Sequence, residues 1–279
     1  MKSLATAFKE VYGEALKEYG FKKVKGKYPY YARMVGDEIV QVITYKEEWC
    51  AAQNKKAFSV MGGIATVYRK KIAFDESPKD NAEWLVGDFD IYINYHKGDF
   101  VASMAESIRK IEYEKENEQS LINAINWSLE ISKDNILKSL ESVNSLEQCI
   151  LYYLKYKPSL LRIWADERYI KKWIGGSHNE GLLYIKVYGF SDYKHYEEDQ
   201  RMIMARYNEM ELDSINSGRS GLTLLEYERD RVDRLKEMNE KIDEYKILLK
   251  NQDYNVMIVD ELQKRKNDNL LELIKMRLL

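Results

Sequence analysis

The chain has 279 residues, 45% of them apolar and 32% charged, with a net charge of −2. That is enough apolar side chain to offset chain entropy, which excludes intrinsic disorder, and the length allows one large or two modest domains. The balanced charge lacks the basic excess of a dedicated nucleic-acid binder, and two cysteines outside any C-x-x-C spacing, Cys50 and Cys149, are too few for a disulfide framework or a zinc site.

Ser3 is placed to cap a first helix in which Leu4, Phe8, Val11, Tyr12, Leu16 and Tyr19 recur at helical spacing. Gly20 fits the left-handed position after that helix, and Phe21 falls where it can contact Leu16. Strands are predicted over 28–35 and 38–46, joined by Gly36-Asp37 as a two-residue hairpin turn. A third strand, 58–69, contains Gly62-Gly63, which signals a bulge or a close backbone approach. A fourth, 89–96, has the cleanest alternation. Asp99 then caps a helix through Phe100, Met104, Ile108 and Ile111, and the polar run 112–119 reads as a helical connector.

Beyond it helical periodicity resumes at Leu121, Ile122, Ile125 and Leu129. Ser145-x-x-Gln148 and Thr223-x-x-Glu226 are capping boxes, with a helix opened by Pro158 between them. The second box starts a long amphipathic helix through Val232, Leu235, Met238, Ile242, Tyr245 and Leu249, and a last helix begins near Tyr254. Eight of the 14 glycines precede residue 99 and none lies between Asp99 and Ile174, so turns concentrate early and long helices follow. The expected fold is α+β: a four-stranded antiparallel sheet with a covering helix in residues 1–115, then a helical region in 116–279. The apolar run 182–188 fits strand or helix equally. No leader and no apolar run of membrane-spanning length is legible, so a cytoplasmic protein without membrane attachment is expected.

The succession Tyr19-Gly20-Phe21-Lys22-Lys23, Tyr30-Tyr31-x-Arg33, Asp37-x-Ile39-Val40-Gln41-Val42-Ile43 and Phe58-Ser59-Val60-Met61-Gly62-Gly63-Ile64 resembles bacterial proteins that carry domain of unknown function 4304. The likeness covers about residues 1–100. It implies an α+β fold and a bacterial source, and it brings no catalytic residue and no cofactor.

Two groups of residues are candidate binding sites. Lys22, Lys23, Lys25, Lys27 and Arg33 form an acid-free basic arm with Tyr28, Tyr30 and Tyr31 interleaved. Phosphate neutralisation with base stacking, or aromatic anchoring of a protein partner, would use such an arm. The plainer reading is a solvated hairpin whose tyrosines pack on the sheet. Asp90, Tyr92, Asn94 and His96 share one face of the fourth predicted strand, where residues two apart are roughly 7 Å apart, or they are simply its solvent side. The Gly175-Gly176-Ser177 loop lacks the G-K-[ST] ending of a phosphate loop, and His195 with neighbouring acids reads as a helix face. No G-x-S-x-G, H-E-x-x-H or G-x-G-x-x-G occurs.

The expected function is therefore non-enzymatic binding of a protein partner, in an immunity, antitoxin or phage-response type of role by fold-level analogy. The 22 tyrosines, five tryptophans and long amphipathic helices motivate this. The alternative is an enzyme or nucleic-acid-handling protein whose site joins residues distant in sequence. Self-association through the helix near 223–250 is a further expectation.

Overall fold

The computed structural model describes residues 2–69, 71–79, 85–87, 110–156, 193–248 and 252–279. The predicted strand 89–96, the helix after Asp99, the run 182–188 and the Gly175-Gly176 segment lie outside them. The described chain is α+β, with an antiparallel sheet built mainly in its first half and helices after it. It divides into two compact units. The first contains Met1–Val67, Lys71–Cys149 and Lys266–Leu279, and the second Tyr68–Lys70 and Ile150–Arg265.

In the first unit, helix α1 (Leu4–Glu18) begins at Ser3, whose hydroxyl accepts the Thr6 amide. It ends as predicted. Gly20 sits at φ 77°, its amide donates to Lys17 and the Phe21 amide donates to Leu16, a Schellman closure that needs a residue tolerant of the left-handed region.

Strands β1 (Lys22–Lys23), β2 (Tyr31–Val35), β3 (Ile39–Glu48), β4 (Lys55–Thr66) and β5 (Leu85–Gly87) are hydrogen-bonded in that order, all antiparallel. A sixth strand, β6 (Ile111–Glu114), also pairs with β4, along Lys55–Phe58, while β5 pairs along Met61–Gly63. Three expected strands are thus present and three short ones join them. The β2–β3 connection is longer than predicted: Val35 faces Ile39, so the loop is Gly36-Asp37-Glu38, with Gly36 at φ 62°.

The run read as a helical connector divides instead into β6, a turn and a helix. Glu116 stands at φ 62° between β6 and α2 (Glu118–Ser132), capped by Asn117. Ile111 and Tyr113 alternate with Glu112 and Glu114 as buried and exposed positions. Polar content suggested a helix, but the two-residue period decides for a strand.

One face of the sheet holds Tyr31, Ile43, Tyr45 and Phe58, and α1 lies on it, with the Phe8 ring 4.6 Å from Tyr45 and stacked at 4.1 Å on Tyr12. The buried Tyr12 hydroxyl bonds Ser128 at 3.0 Å and Ser132 at 2.9 Å, locking α1 to α2. A π-helical segment (Lys133–Leu137) and α3 (Lys138–Glu141) continue α2 over the same face. Gln41 donates to the Leu140 and Val143 carbonyls there.

Gly62 explains this packing. A Cβ at that position would stand 2.6 Å from Ile136 Cγ2. The β3–β4 register runs without interruption from Ile39↔Thr66 to Glu48↔Ala57, so the glycine pair marks a close approach and not a bulge. The π segment is the place where Ile136, fully buried, enters the space a side chain would fill. Gly13 in α1 is similar, with Tyr31 Oη 3.2 Å from its virtual Cβ.

The opposite face is also buried. Ala32, Val40, Val42, Thr44, Met61 and Ala65 are inaccessible or nearly so, which is why β3 and β4 read as continuous apolar runs. The C-terminal end of α7 (Gln252–Lys275) anchors to the sheet: Asn269 bridges the Val67 carbonyl and the Ile72 amide, and Lys266 pairs with Asp37 at 2.7 Å.

α4 (Leu146–Tyr156) begins at the first predicted capping box, where Gln148 accepts the Asn144 amide and donates its own to Ser145 Oγ. In the second unit, α5 (Tyr193–Asn216) is followed by α6 (Leu224–Leu248), opened by the complete Thr223–Glu226 box. α7 starts in this unit. Among the described residues no helix is long and apolar enough to cross a membrane.

Candidate binding groove

The basic-aromatic arm is resolved into two layers. Lys23, Lys25 and Lys27 are exposed. Tyr30 is fully buried, its ring edge-on to Phe74 at 5.4 Å and its hydroxyl donating to the Glu76 carbonyl. Tyr31 is buried beside Phe8, and burial pushes its hydroxyl up to about 12. These two tyrosines therefore present no ring to a ligand, which corrects their place among the binding candidates: apolar surface wins over interface use because each fills the core. Tyr28 is half-buried, with Lys27 Nζ 5.2 Å from its ring.

Arg33 is scaffolding as well. Its Nε donates to Gln41 at 2.8 Å, its Nη1 donates to the Tyr19 carbonyl at the end of α1, and it lies 4.7 Å from the Phe21 ring. Burial lowers its pKa and the Glu141 carboxylate opposes that. It lines a concavity with Lys22, Gln41 and Glu141, with its Nε and Nη1 committed to the fold. Asp90, Tyr92, Asn94 and His96 lie outside the described residues.

A groove of 680 Å³ on the first unit runs between β6 and α2, and was not anticipated. Its geometry follows from ladder parity. The Lys115 amide donates to the Asn54 carbonyl at 2.8 Å. In the register Lys55↔Glu114 to Phe58↔Ile111, Ile111 and Tyr113 then turn their amides toward β4. Glu112 and Glu114 turn theirs away, and the Glu114 amide accordingly donates outward to Ser120 Oγ at 3.0 Å. The amide and carbonyl of Glu112 are left facing the groove.

Asn117, Ser120, Asn123, Ala124 and Trp127 line the α2 wall, spaced so that one helical face meets the strand edge. Asn117 secures the corner by accepting the Ser120 amide and donating to Glu114 Oε2. Trp127 is 47% exposed at one end. Lys110 lies at 5.4 Å over the ring of Trp49, itself 78% exposed, and donates to the Trp49 carbonyl.

Glu112 carries the local charge. Lys55 at 3.3 Å and the Cys50 thiol at 3.5 Å donate to it, and these bonds hold its carboxyl below the usual range. Cys149 is buried and its thiol is pushed up to about 12, whereas Cys50 is half-exposed.

A second polar cluster lies on β3 and β4, where Ser59 Oγ donates to Glu48 at 2.7 Å and Lys46 pairs with the same oxygen at 2.8 Å. This arrangement uses the carboxylate as a shared acceptor and ties two cross-strand neighbours together.

The Ile-Glu-Tyr-Glu alternation was the signal in the sequence for β6. The α2 wall has no comparable signature, because its residues gain meaning only beside the strand. No family model, curated protein or solved structure matches the chain.

Proposed function

We propose that the chain is a non-enzymatic binding protein that takes an extended segment of a protein partner along the edge of β6 that faces away from β4. The observation that carries this reading is the outward-facing Glu112 amide and carbonyl on the floor of the β6–α2 groove. An added strand draws affinity from such main-chain groups and specificity from alternate side-chain pockets. Trp127 supplies an aromatic contact at one end, and Gln119 and Asn123, joined by a hydrogen bond from Gln119 Nε2 to Asn123 Oδ1, line the wall. An immunity, antitoxin or phage-response role in a bacterial cytoplasm would use the groove to hold a partner's chain. The nucleic-acid alternative has less support, because burial of Tyr30 and Tyr31 removes two of the three rings that base stacking would use.

Selection of random linear peptides displayed on phage against the full chain tests this. Glu112→Pro deletes the outward amide without touching the β4 ladder, and Glu112→Ala controls for the carboxylate. Selected peptides should bind Glu112→Ala nearly as well as wild type and lose at least about tenfold with Glu112→Pro or Trp127→Ala. Peptides indifferent to both changes would refute the reading.

A further inference from the structure

Helix α6 carries two apolar stripes and packs only one of them on α5. Tyr227 and Met238 are buried, and Arg234 between them is half-buried. The Tyr227 hydroxyl donates to the Asn208 carbonyl of α5, and Arg234 pairs with Glu211 of α5. The second stripe, Leu225, Val232 and Leu235, is 65%, 60% and 36% exposed. Its spacing of seven and three is the a/d repeat of a coiled coil, and Glu228, Asn239 and Ile242 complete the same seam in the sequence. It is rotated roughly 110° from the packed stripe at 100° per residue, so α5 does not consume it.

We propose that this stripe pairs α6 with the α6 of a second copy in antiparallel orientation. Charge selects the occupant and the direction. A parallel pair in register would set Glu228 against the partner's Glu228 inside the seam and Arg231 against the partner's Lys236 beside it. The antiparallel pair places Val232 against the partner's Leu235 at a two-fold axis. Glu228 then meets the amide of the partner's Asn239, and Arg229 lies beside the partner's Asp243 on both sides of the axis. Lys236 alone meets its own copy. The contact is isologous and closes as a dimer. The seam from Leu225 to Ile242 is roughly 27 Å long.

Sedimentation velocity on the full chain from about 1 to about 100 μM reads the association directly. Monomer should give way to dimer across that range. Val232→Ser combined with Leu235→Ser should stay monomeric, with a thermal midpoint close to that of wild type at about 1 μM, where wild type is monomeric too, since Val232 is exposed and Leu235 partly exposed in the single chain. Arg229→Asp should weaken the dimer by about tenfold, and adding Asp243→Arg should restore it. In a parallel pair these positions are roughly 21 Å apart along the axis and no rescue follows. A monomer at every concentration, or a dimer that ignores the charge exchange, overturns the proposal. The exchange decides the matter even if the serine pair perturbs folding.

Discussion

The β3–β4 hairpin in the first unit and α6 in the second treat similar apolar residues in opposite ways. β3 buries Val40 and Val42 on one face and Ile39, Ile43 and Tyr45 on the other. Of the described side chains on α5 and α6, Tyr227 and Met238 are the buried ones, while Leu224, Leu225 and Val232 stand more than half exposed. Buried apolar area contributes to the stability of the single chain, roughly 25 cal/mol per Å². Exposed apolar area of the same composition contributes nothing until something covers it, and contiguous exposure of this kind marks an interaction surface. The contrast therefore separates residues that determine the fold from residues free to serve association.

Truncation should expose the contrast most sharply. Tyr30→Ala is expected to cost about 3–5 kcal/mol, because a fully buried ring packed on Phe74 leaves a cavity and an unpaired Glu76 carbonyl. Leu225→Ala should change monomer stability by no more than about 0.5 kcal/mol, and so should the combined replacement of Lys23, Lys25 and Lys27 by Ala. Urea unfolding at low protein concentration measures all three. Equal losses for Tyr30 and Leu225 would dissolve the distinction between the units.

An intermediate effect is expected at the closest helix–sheet contact. Gly62→Ala should cost about 1–3 kcal/mol by forcing Ile136 outward. Ile136→Ala should lose stability on its own, yet the double variant should be more stable than the sum of the two losses predicts. A double-mutant cycle by thermal unfolding reads this coupling. Strict additivity would mean that Gly62 is needed for some other reason.

The smallest effect concerns the anchor of α7. The Lys266 ammonium holds the Asp37 carboxyl below its ordinary value, about 3.9. A carboxyl depressed in the folded state adds stability above its unfolded value, and that contribution fades as pH falls through the lower folded value. Wild type and Asp37→Asn should therefore differ slightly near neutral pH and converge in acid. A difference that grows on acidification would contradict the pairing. Asp37 is exposed enough that salt should reduce the difference at neutral pH.

Much of the fold was legible before the structure. The Ser3 cap, the Gly20 ending, the Thr223–Glu226 box and the β2–β3–β4 order each depend on residues within a few positions of one another, and local chemistry settles them. β6 was legible in principle from its alternation, but the charge of its neighbours argued for a helix. Of the candidate site, the arm follows the plainer of its two readings: its lysines are exposed, and Tyr30 and Tyr31, which the other reading offered to a ligand, belong to the core. Residue type does not reveal which side of the chain a ring takes when both faces of the sheet are covered.

The sequence by itself determined the class of fold, the cap and the Gly20 ending of α1 and the two capping boxes, and it left Gly62-Gly63 as either a bulge or a close approach to a neighbour. Only the tertiary structure decided that the neighbour is Ile136, that Glu112 aims its backbone into a groove walled by α2, and that α6 packs one stripe and leaves the other open. The physical reason is range. Caps, turns and periodicity act over a few residues, while register, close approach and burial depend on segments that come together only when the chain has folded.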